Sequence, residues 1–185
     1  LYPGEVELVV GLGPIGLMHM QVARTFGARV IASDPVAARR EKAQALGADW
    51  VVDPQTTDLG GFIKDVTNGW GADAIALTVG SARMVEEVVP YLAPGGRLNI
   101  FAGIYPKDQI HLDPNQIHYG EWVITGSADS TPENMHRALT MIESGQVQTE
   151  ALISDLLPLP ELAKGLEMVK NRAGLKIVME VNGEA

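Results

Sequence analysis

The tightest constraint on the fold is the opening stretch VELVVGLGPIGLMHM, residues 6–20. An apolar run over residues 5–10 reads as a short buried strand, and Gly11, Gly13 and Gly16 follow it in the spacing G-x-G-x-x-G. From Pro14 to Phe26 the apolar residues recur with a helical period until Gly27 stops them. In a strand–turn–helix unit of this kind the first glycine permits the tight turn. The second leaves no Cβ between the backbone and a ligand, and the third lets helix and strand pack closely. Pro14 in the first helical turn costs little, because its missing N–H would have had no partner there. The remaining free N–H groups at the helix start face an anion, and a dinucleotide pyrophosphate suits them.

Beyond this unit, short apolar runs and amphipathic stretches alternate. Residues 29–33, 50–52, 74–79, 97–101 and 122–125 read as strands. Residues 36–46, 60–66, 82–91 and 132–144 read as helices. Asp58 or a nearby Thr is expected to cap the helix at 60–66, and APGG at 93–96 to turn the chain. Thr131 followed by Pro132 gives an N-cap and an N1 proline. Such alternation implies an α/β fold: a doubly wound parallel sheet of the Rossmann type, in three α/β/α layers. Its ligand cleft lies at the carboxyl ends of the strands. Residues 1–149 make up this domain. Residues 150–185 offer one further helix, about 160–171, and an apolar strand, about 175–181, which need a partner surface.

Asp34 ends the second strand in IASDP. A carboxylate there accepts hydrogen bonds from the adenosine ribose hydroxyls and repels the 2′-phosphate of NADP, so NAD is favoured. As Asp before Pro35 it also suits a helix N-cap, and both roles can hold together. Arg39 and Arg40 stack on adenine, soften the bias against a 2′-phosphate, or are solvated helix arginines.

Composition excludes several classes. Lys and Arg number 14 against 23 Asp and Glu, a formal charge of −9, which disfavours nucleic-acid binding. There is no cysteine, hence no disulfide, thiolate metal site or Cys nucleophile within these residues, which fits a cytoplasmic protein. No apolar run approaches the roughly 20 residues of a membrane helix, and no signal peptide is visible. The chain begins without Met and almost on a strand, so a piece excised from a longer protein is expected. The four histidines, His19, His111, His118 and His136, show no ligand spacing. His19 is expected to be a packed helix residue, and His111 and His118 to flank a loop, LDPNQI. Ser81 and Ser127 have no His–Asp partner at readable spacing, so no hydrolase triad follows.

Taken in order, PGEVELVVGLGPIGL, SDPVAARREKAQALGAD, GWGADAIALTVGS, LAPGGRLNIFAGI, HLDPNQIHYGEWVITGS, SGQVQTEALISDLLPLPELAKGLEMV and LKIVMEV resemble the medium-chain, zinc-dependent alcohol and polyol dehydrogenases from end to end of the chain. Within that family the chain looks most like the sorbitol and threonine dehydrogenase branch. The resemblance implies that Gly11, Gly13, Pro14, Ile15 and Gly16 hold the pyrophosphate, and Asp34 and Arg39 the adenosine ribose. It implies that Thr78, Val79 and Gly80 lie beside the adenosine half. It places Ala102, Gly103 and Ile104, with Ser127 and Ala128, along the nicotinamide. Lys176 stands where some members carry a basic residue near the phosphates. Many members carry an acidic residue where this chain has Leu77. The family's catalytic zinc and its ligands come mainly from an N-terminal domain preceding the point where this chain begins. The resemblance therefore implies NAD(H) binding here, with no catalytic or metal-ligating residue in this chain. In the intact enzyme zinc and a small alcohol substrate are implied, together with a homodimer paired at the edge strand near 122–125. The C-terminal helix and strand would pack on the absent catalytic domain. A zinc-free quinone or enoyl reductase is the nearest alternative, though such enzymes favour NADPH, against Asp34. A non-catalytic dinucleotide-binding module is another. A methyltransferase also carries an acidic residue after its second strand, but fits the glycine turn and LKIVMEV poorly.

Overall fold

The computed structural model describes residues 1–171 and 173–181. Six parallel strands form one sheet: β1 (Val6–Val10), β2 (Arg29–Ser33), β3 (Trp50–Val52), β4 (Ala72–Leu77), β5 (Leu92–Ile100) and β6 (Val123–Gly126). Their spatial order is β3-β2-β1-β4-β5-β6. The helices between them are α1 (Pro14–Thr25), α2 (Ala37–Ala45), α3 (Leu59–Val66), α4 (Ala82–Val88) and α5 (Pro114–Gly120). The chain winds outward from β1 to β3, then crosses back to β4 on the other side. The carboxyl ends of β1 and β4 therefore flank the crevice where winding reverses, the place such sheets bind ligands.

Both faces are covered along β1, β2 and β4, which is why these strands read as largely apolar runs rather than alternating ones. On one face Leu8, Ile31, Ile75, Leu77 and Leu98 pack with Leu59 and Ile63 of α3 and Val85 and Val88 of α4. On the other, Val9, Val30, Ala32 and Ala76 pack with Leu17, Met20 and Ala23 of α1 and Ala43 of α2. Each large aliphatic side chain so buried contributes roughly 1.5–3 kcal/mol.

After β6 come α6 (Pro132–Glu143), β7 (Ile153–Pro158), α7 (Leu162–Lys170) and β8 (Lys176–Glu180). β7 and β8 pair in parallel as a separate two-stranded sheet. Leu152, just before β7, is buried in the α1-side cluster, and Leu175, just before β8, packs against it. This segment thus touches the large sheet's layer, while Leu156, Leu162, Leu166 and Val169 stay exposed.

Several sequence expectations shift. The helix expected over 82–91 stops at Val88, and Val89–Tyr91 is a 3-10 turn, because Pro90 cannot donate to an α-helical ladder. APGG does not precede β5 but bulges within it. Pairing with β4 jumps from Ala72↔Leu92 to Ala74↔Arg97, and Gly95 takes the left-handed φ of 74°. LDPNQI is not simply a loop: Asp113 caps α5, accepting from the Asn115 amide at 2.9 Å. β7 is an additional strand beyond those the sequence pattern marks. Asp58 stands at the N-cap position of α3 without a side-chain cap bond, whereas Thr131 does cap α6, accepting from Asn134 N–H at 3.2 Å.

Candidate functional site

The glycine turn sits on the carboxyl end of β1. Gly11 has φ 89°, and its N–H donates to Ser33 O at 2.9 Å, tying the turn to β2. A Cβ on Gly11 would lie 2.6 Å from Val79 Cγ2 and 2.8 Å from Thr78 Oγ1, the residues that follow β4. A Cβ on Gly16 would collide with the backbone carbonyl of Gly11, so helix and turn touch main chain to main chain. A Cβ on Gly13 would meet nothing within 4 Å. The turn is therefore closed beneath Gly11 and Gly16 and open above Gly13.

Gly13 is the N-cap of α1 and Pro14 its first residue; no side chain caps the helix and no acidic residue occupies its first turn. The positive end of a 12-residue helix is thus left to an outside anion. Ile15 projects from this turn and is exposed. The open glycine and the uncapped N–H groups together fit a pyrophosphate.

Asp34, at the end of β2, is buried, at 2% exposure. Its Oδ2 accepts from Leu12 N–H, between the first two glycines, at 2.8 Å, and its Oδ1 accepts from Val36 N–H at 2.8 Å. Arg39 Nη1 stands 3.4 Å from Oδ2. Arg40 donates to the Asp34 carbonyl at 2.7 Å and pairs with Asp53 at 3.0 Å. Both arginines are thus held by carboxylate or carbonyl oxygens rather than free in solvent. The N-cap expectation for Asp34 needs correcting: Val36 occupies the cap position of α2, and Asp34 receives the Val36 amide two residues on, as a turn. A carboxylate has about four lone-pair directions. Three protein donors leave one acceptor direction unused.

Thr78, Val79 and Gly80 follow β4 directly beside Gly11. A Cβ on Gly80 would collide with Gly103 O, so the loops after β4 and β5 press together. Next to this contact lies a groove of about 600 Å³ lined by residues 100–104 and 126–129, which contain Ala102, Gly103, Ile104, Ser127 and Ala128. Ser127 Oγ donates to Asn99 Oδ1 at 3.0 Å, bracing the β6 end against β5. Sequence reading passed over Asn99 and Asp129. The signal for Asn99 was there, one amide interrupting the apolar run RLNIF. His19 of α1 packs edge-on against Phe101, with ring centroids 4.9 Å apart, and burial pushes its pKa down, so the ring is a neutral packing group. His111 does not line the groove; its Nδ1 is 3.2 Å from Glu86 Oε1 of α4. Lys176 opens β8, in a different sheet from the glycine turn.

A family profile described as zinc-binding dehydrogenase matches residues 14–144. The chain belongs to that family. The chain is 28% identical over 182 residues to the D-arabitol-phosphate dehydrogenase of Enterococcus avium, covering 97% of the chain and 51% of that relative. It is 31% identical over 181 residues to the L-threonine 3-dehydrogenase of Caldanaerobacter subterraneus, covering 95% and 51%. Among solved structures, an alcohol dehydrogenase from Thermus sp. ATN1 superposes with a TM-score of 0.91 at 26% identity, covering 98% of the chain and 52% of that protein. The chain spans about half the length of the curated relatives it matches.

Among the described residues of this family member, no group of three or more His, Cys, Asp or Glu is arranged to hold a metal ion. A zinc ion needs such a set, so the described residues do not fit one. No described helix is long and apolar enough to cross a membrane.

Proposed function

We propose that this chain is the nicotinamide-dinucleotide-binding portion of a zinc-dependent alcohol or polyol dehydrogenase that uses NAD. The observation that carries the reading is Asp34. Its buried carboxylate grips the glycine turn through Leu12 N–H and stands where a ribose would meet the end of β2. The pyrophosphate rests on the open side of Gly13, against the N–H groups at the start of α1. The adenosine ribose lies at Asp34 and Arg39, beside Thr78, Val79 and Gly80. The nicotinamide occupies the groove formed by residues 100–104 and 126–129. When bound, the nicotinamide supplies the hydride acceptor. This chain's own residues bind and orient it, and Ile100, Phe101 and Ile104 shield one side of it from water.

The same reading assigns the zinc, its ligands and the substrate contacts to the half of the relatives' length that this chain does not match. Residues 1–149 then form the cofactor domain, and 150–185 pack on the other half through the exposed Leu156, Leu162, Leu166 and Val169. β6 is an edge strand with Val123 exposed, which supports a homodimer paired along that edge. The lack of cysteine supports a cytoplasmic setting.

The test is titration of the purified chain with NADH and NADPH, followed by energy transfer from Trp50, Trp70 and Trp122. NADH should bind at least about tenfold more tightly than NADPH, a difference of about 1.4 kcal/mol. Asp34→Asn should weaken NADH and narrow that gap. No alcohol oxidation is expected from the chain alone. Equal affinity for both cofactors, unchanged by Asp34→Asn, would remove the NAD assignment. Failure of a folded chain to bind either would remove the cofactor site.

A further inference from the structure

The hydroxyl of Thr78 lies at the centre of the glycine turn. It is 3.0 Å from Val10 O and 2.9 Å from Gly11 O. A hydroxyl has one proton to give, so these two acceptors compete for it. Val10 O already receives the backbone N–H of Thr78 at 3.0 Å. Gly11 O receives no backbone N–H among the described residues. The proton therefore goes to Gly11 O, whose carbonyl would otherwise be a buried acceptor without a donor. The same carbonyl is pressed by the backbone of Gly16, and a Cβ on Gly16 would come within 3.2 Å of Thr78 Oγ1. Three main-chain features of the turn thus converge on one side chain, supplied by the residue that follows β4, across the crevice from β2.

We propose that Thr78 is a positioning residue, whose hydroxyl locks the Gly11 carbonyl and so fixes the turn and the start of α1 in the shape that receives a dinucleotide pyrophosphate. The step from turn geometry to cofactor affinity rests on the function proposed above. Asp34 holds the turn from the β2 side through Leu12 N–H, and Thr78 holds it from the β4 side through Gly11 O. A turn held from one side alone keeps its fold, because β1 stays paired with β2 and β4. It loses the fixed direction of its N–H groups, and a pyrophosphate must then order it on binding.

The test compares the 185-residue chain with Thr78→Val, which replaces the hydroxyl by a methyl of similar size, and Thr78→Ser, which keeps the donor. Backbone amide exchange without ligand reads the clamp directly, and NADH titration reads its consequence. In Thr78→Val the Gly11 and Leu12 amides should exchange about tenfold faster, and NADH should bind about tenfold more weakly, the equivalent of about 1.4 kcal/mol. Strand amides of β1 and β4 should keep their rates, and Thr78→Ser should restore both turn exchange and affinity. Wild-type exchange at Gly11 and Leu12 in Thr78→Val overturns the proposal. So does a uniform rise in exchange across β1 and β4, which marks general packing. Should Thr78→Val not fold, Thr78→Ala carries the same expectations without a methyl against Gly11. If the wild-type chain binds neither NADH nor NADPH, the cofactor reading fails on its own arm, and the exchange arm still decides the clamp.

Discussion

Gly13 and Gly16 stand three places apart on one turn, yet a methyl group added to each would meet opposite surroundings. At Gly16 it would overlap the Gly11 carbonyl, which is backbone and cannot rotate away. At Gly13 it would enter open space, from a backbone at φ −67° and ψ −178° that any residue adopts. Gly16→Ala should therefore destabilise the chain by the cost of overpacking, about 1–3 kcal/mol, and weaken NADH as well. Gly13→Ala should cost only about 0.5–1 kcal/mol as a poorer N-cap, while weakening NADH strongly, since the methyl stands where the pyrophosphate would rest. Denaturant melts and NADH titration on the two variants separate the effects. A Gly13→Ala chain that binds NADH normally would show that the open face of the turn is not the ligand's face.

Burial is uneven among the elements, and this uneven burial dictates how each should open. β1 is buried along its whole length, and β4 nearly so. α6, by contrast, has no buried residue, although Met135, Leu139 and Ile142 form an apolar stripe along it, and α7 buries Gly165 alone. Amide exchange should therefore proceed in α6 and α7 by local opening, at free energies well below that of global unfolding, which governs β1 and β4. Adding NADH should slow the Ile15 and Gly16 amides and leave α6 unchanged. Amides of α6 protected as well as those of β1 would mean that another surface covers the stripe. The same unevenness explains what could be read from sequence. Strands buried on both faces announce themselves as apolar runs, and the glycine turn as a fixed spacing, so the sheet, the turn and the place of Asp34 at the end of β2 were legible. β7, ISDLLP, carries Ser154 and Asp155 in its first half and ends in a proline, because one small sheet pairs it on one side alone. α5 has a single aliphatic residue, Ile117, so its helical period is invisible and only the Asp113–Pro114 start marks it. The β5 bulge was hidden because Pro94 and two glycines signal a turn whether or not the strand resumes. The Thr78 clamp was equally hidden, since it depends on β1 and β4 being neighbours, a fact of topology.

The stability of the whole molecule should carry the signature of one carboxyl group in its main sheet. Glu7 lies in β1, two residues before Val9 and on the same face, the one covered by α1, and is 6% exposed. Its Oε2 has no hydrogen-bond partner among the described residues. Burial pushes its pKa up from an ordinary 4.5 to about 7; the chain's amino group and Arg97 offset this only in part, and Glu5 adds to it. Arg97 is itself engaged by Glu5, to which it donates at 2.6 Å. Between about pH 4.5 and pH 7 the folded chain therefore holds a proton at Glu7 that the unfolded chain has released. The folded state binds more protons in that window, so stability falls as pH rises through it and levels off above. The full effect is roughly 3 kcal/mol, from 1.36 kcal/mol per pKa unit. Glu7→Gln cannot ionise and keeps the shape. It should be close to wild type in stability near pH 4.5 and exceed it increasingly up to about pH 7, by at most that amount. Urea unfolding of both proteins across this range isolates the contribution, because every other titrating group is common to the pair. Parallel pH profiles would show that water or a neighbouring group reaches Glu7 in solution and that its charge is not confined to the sheet.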